Sequence, residues 1–180
     1  MKTHRGPLIA AATALGIGLG GFLDGIVFHQ ILQAHGMLSA KYPQVDPDPL
    51  VVIRNLEINM FWDGMFHLFN WVMTCTGLLL LWKASNRADV PWSGYTLAGG
   101  LPLGWGMFNL VEGILDHHIL HLHHVRETPD HLVYDLAFLG SGVLLVLVGA
   151  FLISRDQAKN SRGTALQQDS QSSIVQAENQ

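Results

Sequence analysis

The sequence predicts an all-α fold. Four transmembrane helices form one bundle, built as two repeated helical hairpins related by a pseudo-twofold along the membrane normal. Three observations carry this expectation. First, hydrophobic residues make up 49% of the 180 residues and charged ones 13%, against roughly 25% charged in soluble domains. Mean hydropathy is +0.27. Second, four apolar stretches are each long enough to cross a hydrocarbon core of ~30 Å as a helix. Third, the chain repeats itself. Asp24-Gly25-Ile26-Val27-Phe28-His29-Gln30-Ile31-Leu32-Gln33-Ala34-His35 aligns without gaps on Glu112-Gly113-Ile114-Leu115-Asp116-His117-His118-Ile119-Leu120-His121-Leu122-His123. The segments that follow align more loosely, Trp62-Asp63 on Tyr134-Asp135.

The membrane domain is expected over residues 1–155. Its first span is 7–33. Lys2 and Arg5 precede it, and Ala12 and Ala14 resemble a cleavage site. A signal peptide's apolar run is only ~7–15 residues, however, so a retained helix is expected. Gly16 and Gly20, four apart in this span, suit a close helix-packing face. A dinucleotide fingerprint would need a preceding strand, which is missing. The second span is 55–83, the third 92–122 and the fourth 131–154. Between the first two, residues 36–54 contain Pro43, Pro47 and Pro49 and read as a loop. The tail, 156–180, is rich in Gln, Ser and Asn and is expected to be disordered.

Charge sets the orientation. Lys2, Arg5, Lys83, Arg87, Arg155, Lys159 and Arg162 flank one side of the spans, and Lys41, Arg54 and Arg126 the other. Positive residues stay inside, which puts both termini in the cytoplasm. Trp82 and Trp92 then mark the inner interface and Trp62 the outer one. The net charge of −4 and a pI near 6.2 give no reason to expect nucleic-acid binding. Lipid is the expected surrounding. Cys75 is the one cysteine. It excludes an intramolecular disulfide and a Cys-rich zinc module, and reads as a packed apolar thiol.

Asp24, Asp63, Glu112, Asp116 and Asp135 fall within the spans, whose interiors hold no Lys or Arg. Each such acid costs roughly 2.5–3.5 kcal/mol near a span centre, so they need partners. Histidine, present ten times, supplies them. At ~1.5 Å per residue, Asp24, Asp63, His67, Glu112 and Asp135 all lie within about 15 Å of the outer ends of their helices. The inner halves are nearly free of ionisable groups. A hydrated outer vestibule would account for some of this, but a metal site explains the common depth better. The expected ligands are Asp24, His29, Asp63, His67, Glu112, Asp116, His117, His118, His121 and Asp135, with His35, His123, His124 and His131 as secondary candidates. Asp63 with His67, and His131 with Asp135, are four apart and share a helix face. Asp24 to His29 and Glu112 to His117 are five apart. That spacing shares a face only in a wide π-type turn, which is easiest at Gly25 and Gly113.

Imidazole with carboxylate and no thiolate suits Fe, Cu, Zn or Mn and argues against an iron–sulfur cluster. Fe, Cu or Zn is the expected cofactor. Haem is an alternative, since two histidines on different helices can ligate it, but the accompanying acids suit a bare ion better. His121, His123 and His124 form a run that resembles the histidine boxes of membrane desaturases. Those families place several boxes on the cytoplasmic side, whereas this run faces outward. A solvated surface tract is an equal reading for His123 and His124.

Phe22-Leu23-Asp24-Gly25 with His29-Gln30, Trp62-Asp63-Gly64-Met65-Phe66-His67, and Asn109-Leu110-Val111-Glu112-Gly113 with Asp116-His117-His118 are together similar to a bacterial predicted-membrane-protein family, domain of unknown function twenty-two forty-three. The resemblance covers nearly all the chain except the tail. It implies a four-helix inner-membrane protein and brings no established activity. The residues themselves suggest one or two transition-metal ions in the outer half of the bundle. An open coordination position there would suit a metal-dependent oxidoreductase. A metal-handling or oxidase-assembly protein, a transporter and a haem protein are the alternatives. A transporter of this size would need to form a homo-oligomer. No redox or assembly partner can be read from the residues.

Overall fold

A computed structural model describes the backbone of residues 4–178 and the side chains of residues 4–157. It is all-α, with no strand among the described residues. α1 (Gly6–Asp24) runs directly into a π-helix, π1 (Gly25–Ile31). α2 is Pro49–Ser85. α3 (Gly94–Glu112) again runs into a π-helix, π2 (Gly113–Ile119). α4 is His131–Glu178.

The ends of these elements follow from local chemistry. Pro7 occupies the first turn of α1, where its missing N–H costs nothing. Asp48 caps α2 by accepting the N–H of Leu50 at 2.9 Å, with Pro49 just behind it. The helix therefore begins before residue 55. The stretch read as a loop to residue 54 ends at the cap, because Pro49 opens the helix instead of breaking it. Ser93 caps α3 through the N–H of Thr96. α4 begins at His131 as expected and continues as helix beyond 154 to Glu178. Beyond Gln157, the polar tail lies outside the residues whose side chains are described.

Among the described residues, three segments are long and apolar enough to cross a membrane: Gly6–Ile31, Pro49–Ser85 and His131–Gln157. The expected third span is not among them. Its helix carries five glycines and sits between two others, so its surface meets protein more than lipid. Among the described residues, α1 packs on α2 and on α3, and α3 on α4. The backbones of α2 and α4 do not meet. α1 and α3 thus form a central pair, with α2 and α4 outside. The outer helices expose apolar side chains such as Leu68, Phe69, Val72 and Leu79 on α2, and Leu144, Leu147 and Phe151 on α4. Continuous bare apolar faces of this kind suit hydrocarbon.

The central pair is close because it is built of small residues. A Cβ on Gly16 would run into the carbonyl of Leu101, and one on Gly104 into that of Thr13. This is the close backbone approach that glycines four apart permit between membrane helices. At the same end, Arg5 pairs with Asp156, which also accepts the Thr96 hydroxyl at 2.7 Å. Those bonds tie the start of α1 to α3 and α4. The acids and histidines gather at the opposite end.

Candidate metal centre

The two π-helices fix the geometry of the site. Five residues of π-winding return nearly to the same face, whereas five of α-winding overshoot it. Asp24 and His29 therefore meet, with His29 Nε2 3.3 Å from Asp24 Oδ2. Glu112 and His117 fall into one tight group with His123. After each π-helix the chain turns sharply at a residue with positive φ, Gln33 (48°) and His121 (49°). The turn carries His35 and His123 back over the helix ends.

Six side chains converge: Asp24, His29, His35, Glu112, His117 and His123. All are buried, His123 completely. Three overlapping triads within them place their ligand atoms within 4.8 Å of one another: His29–His35–His123, Glu112–His117–His123 and Asp24–His29–Glu112. His29 Nε2 lies 3.0 Å from His35 Nε2, and His123 Nε2 3.7 Å from Glu112 Oε1. Ligands about 2.0–2.2 Å from a common ion stand at comparable separations from each other.

Three of the four imidazoles are anchored through Nδ1 hydrogen bonds, and the fourth, that of His117, has its Nδ1 buried beside a carboxylate without one. His35 donates to the carbonyl of Val125 at 2.9 Å, and His123 to that of Met37 at 3.1 Å. A carbonyl oxygen only accepts, so both rings carry their proton on Nδ1 and turn an Nε2 lone pair inward. Burial and the facing imidazoles hold His35 well below the ordinary histidine range, and His123 is lowered by the same causes. His29 donates to Asp63 at 2.9 Å. His117 Nδ1 faces Asp135 at 3.3 Å. Asp63 and Asp135 are in turn fixed by backbone N–H groups, from Met37 at 2.8 Å and Val125 at 3.0 Å. A carboxylate or carbonyl behind each histidine is the usual support for a metal-binding imidazole.

Inside this frame, polar atoms lack partners. Asp24 Oδ2, both oxygens of Glu112 and His123 Nε2 are buried without a hydrogen bond. A lone buried carboxylate costs several kcal/mol unless a charge or donors compensate it. A cation among these atoms would satisfy all of them together.

A cavity of about 460 Å³ leads to the centre from between α2 and α3. Its walls are Met65, Phe66, Phe69, Met107 and Phe108, and Glu112 and Asp116 line it as well. Phe66 stacks both on Phe108 (5.8 Å between centroids) and on His29 (5.5 Å).

The remaining predicted residues are placed differently. His67 donates to the carbonyl of Asp63, on its own helix, at 2.7 Å and lines a separate shallow cavity with Gln30, Met60 and Gly64. His118 likewise bonds the carbonyl of Gly113, the first residue of its π-helix, at 2.8 Å. His121 is exposed. His124 and His131 sit with Asp135 in a group of their own. The reading of His123 as a solvated surface residue fails, because the turn at His121 buries it. The signal for His35 and His123 was present: both close the aligned repeat. Met37 and Val125, which hold the site through backbone atoms, leave no trace in a side-chain pattern. Asn59 pins the loop between π1 and α2, accepting the N–H of Leu38 and donating to the carbonyl of Tyr42.

Membrane-length helices around a buried set of histidines and carboxylates define a class of all-α membrane protein with a candidate metal centre. Within that class, the chain belongs to the DUF2243 family of predicted membrane proteins, whose family model matches residues 11–156. No curated protein and no solved structure matches it.

Proposed function

We propose that this chain is a multi-pass protein of the bacterial inner membrane, with both termini cytoplasmic, that binds one or two transition-metal ions at the centre formed by Asp24, His29, His35, Glu112, His117 and His123. Iron, copper and zinc all suit the donor set. In this reading α3 with π2 is the fourth span, since it has as many residues as α1 with π1. The four helices are two repeated hairpins about a pseudo-twofold. Matching details support the repeat. Leu32 bonds back to Val27 as Leu120 does to Leu115, and Ala34 to Phe28 as Leu122 does to Asp116.

One observation carries the metal reading. His29 and His35 point Nε2 at Nε2 across 3.0 Å, while their Nδ1 protons are committed to Asp63 and Val125. Two neutral rings so held would oppose lone pair to lone pair. A proton shared between the two Nε2 atoms would relieve that pair alone, whereas a metal ion would relieve it and also serve the unpartnered oxygens of Asp24 and Glu112. Haem fits poorly, because its axial ligands lie on opposite faces of a macrocycle, and these ring centroids are 4.4 Å apart. Among the described residues, no string of ionisable side chains runs from the centre through the glycine- and alanine-packed half, which disfavours a transporter. The apolar cavity reaching Glu112 favours a metal-dependent oxidoreductase acting on a membrane-dissolved substrate.

The test is elemental analysis of full-length protein purified in detergent and offered Fe(II), Cu(II) and Zn(II) in turn. One or two tightly held equivalents of one metal are expected, and H35A/H123A should lose them. A wild-type protein that retains none of the three would refute the proposal.

A further inference from the structure

We propose that His124, His131 and Asp135 form a second, solvent-facing metal-ion site through which the buried centre is loaded. The loading role rests on the reading of the buried centre given above; the site itself does not.

The three side chains are already assembled. His124 Nδ1 lies 2.8 Å and His131 Nδ1 3.3 Å from the same oxygen of Asp135, Oδ2. The two rings stack with centroids 3.8 Å apart. The three ligand atoms lie within 4.8 Å of one another. Two imidazoles and a carboxylate are a donor set for a divalent first-row ion. The His131 side chain is 40% exposed, against 2% for Asp135. An ion held here would keep water on its open side and exchange readily. The exposed ring of His121 stands 6.1 Å from His124, on the approach.

Asp135 also links this group to the interior. Its other oxygen, Oδ1, faces His117 Nδ1 at 3.3 Å. One carboxylate thus has an oxygen toward each set of histidines.

The other half of the molecule shows what a closed version looks like. By the sequence alignment, Asp63 stands where Asp135 does, Gly36 where His124 does and Asn59 where His131 does. No imidazole reaches Asp63 from outside. A Cβ on Gly36 would already lie 2.6 Å from Asn59 Oδ1, so a side chain has no room there. Asn59 spends its amide on the loop at Leu38 and Tyr42. The same carboxylate position is plugged by the loop on one side and joined to the surface by two histidines on the other. An ion from outside therefore has one histidine-lined approach to the centre.

Metal-free full-length protein in detergent, titrated and mixed rapidly with Co(II) or Zn(II), tests this. Wild type should show a fast, exchangeable class of site and a slower, tightly held class. H124A/H131A should lose the fast class and fill the slow one at least tenfold more slowly, to the same final occupancy. H131N changes only the exposed member, to the residue that the other half carries, and should do the same if the double variant is poorly folded. Wild-type loading rates in H131N or in a folded H124A/H131A overturn the proposal, as does a wild-type protein without a fast class. H35A/H123A separates the two readings. It should keep the fast class and lose the slow one. If wild type shows only a fast class, sensitive to H131N, the outer site stands, and the buried centre falls together with the loading role.

Discussion

The two ends of the α1–α3 pair solve opposite problems with one pair of helices. At the end near Arg5, glycine and alanine bring the two backbones together until the carbonyl of Leu101 touches the space where a Gly16 side chain would be. At the histidine-bearing end both helices change to π-winding, and each turns an acid and a histidine toward the other helix. Close packing supplies the rigidity, and a change of helical pitch supplies the site. A regular α-helix continued through this end would aim Asp24 and His29 apart.

The largest expected effect comes from breaking the glycine-packed end. Gly104→Leu would drive a side chain into the carbonyl of Thr13, on a neighbouring backbone that cannot rotate away. Overpacking of a tight core costs about 1–3 kcal/mol, and a backbone obstacle puts this site at the upper end. Size-exclusion profiles and thermal unfolding in detergent should show loss of the monodisperse, stable species. Gly140→Leu is the matched control, since nothing lies within 4 Å of a Cβ there. Equal stability of the two variants would mean that the central pair does not depend on close approach.

Next come the carboxylates behind the histidines. Asp63→Asn and Asp135→Asn leave the inward-facing atoms in place but weaken the group that orients each ring. Changes of this kind typically cost 10–100-fold in metal affinity. A competition titration against a chelator should find both losses in that range. The Asp135 variant should be the worse of the two, because that carboxylate also serves His124 and His131. No change in either would detach these acids from the site.

Much of this was legible in the residues. The recurrence of acid, glycine and histidine pointed to residues that the fold gathers into one buried group, and a five-residue acid-to-histidine spacing called for π-winding where π-helices are found. Composition and apolar length gave the all-α class and the membrane-length helices. Three things were not legible. Pro43, Pro47 and Pro49 look alike as loop signals, and only the Asp48 cap tells that Pro49 opens a helix. His123 lies in a polar, histidine-rich run, and only the positive φ at His121 shows that it folds inward. The crossing bonds, His35 to Val125 and His123 to Met37, join loops far apart in the chain through backbone carbonyls that any residue supplies.

The smallest expected effect concerns His67 and His118, which share helix faces or neighbours with true members of the cluster. Sequence spacing cannot separate them from ligands, because four residues along an α-helix return to the same face whatever the ring then does. In the fold each ring folds back, and its Nδ1 bonds a carbonyl of its own helix. Neither joins the convergent groups of the centre. His67→Ala and His118→Ala should therefore leave metal stoichiometry unchanged and shift affinity by less than about twofold, a change worth under ~0.5 kcal/mol and typical of sites without a special role. The same chelator titration reads this out. A tenfold loss in either variant would bring that ring into the centre. It would also mean that the bond to the helix carbonyl gives way when an ion is bound.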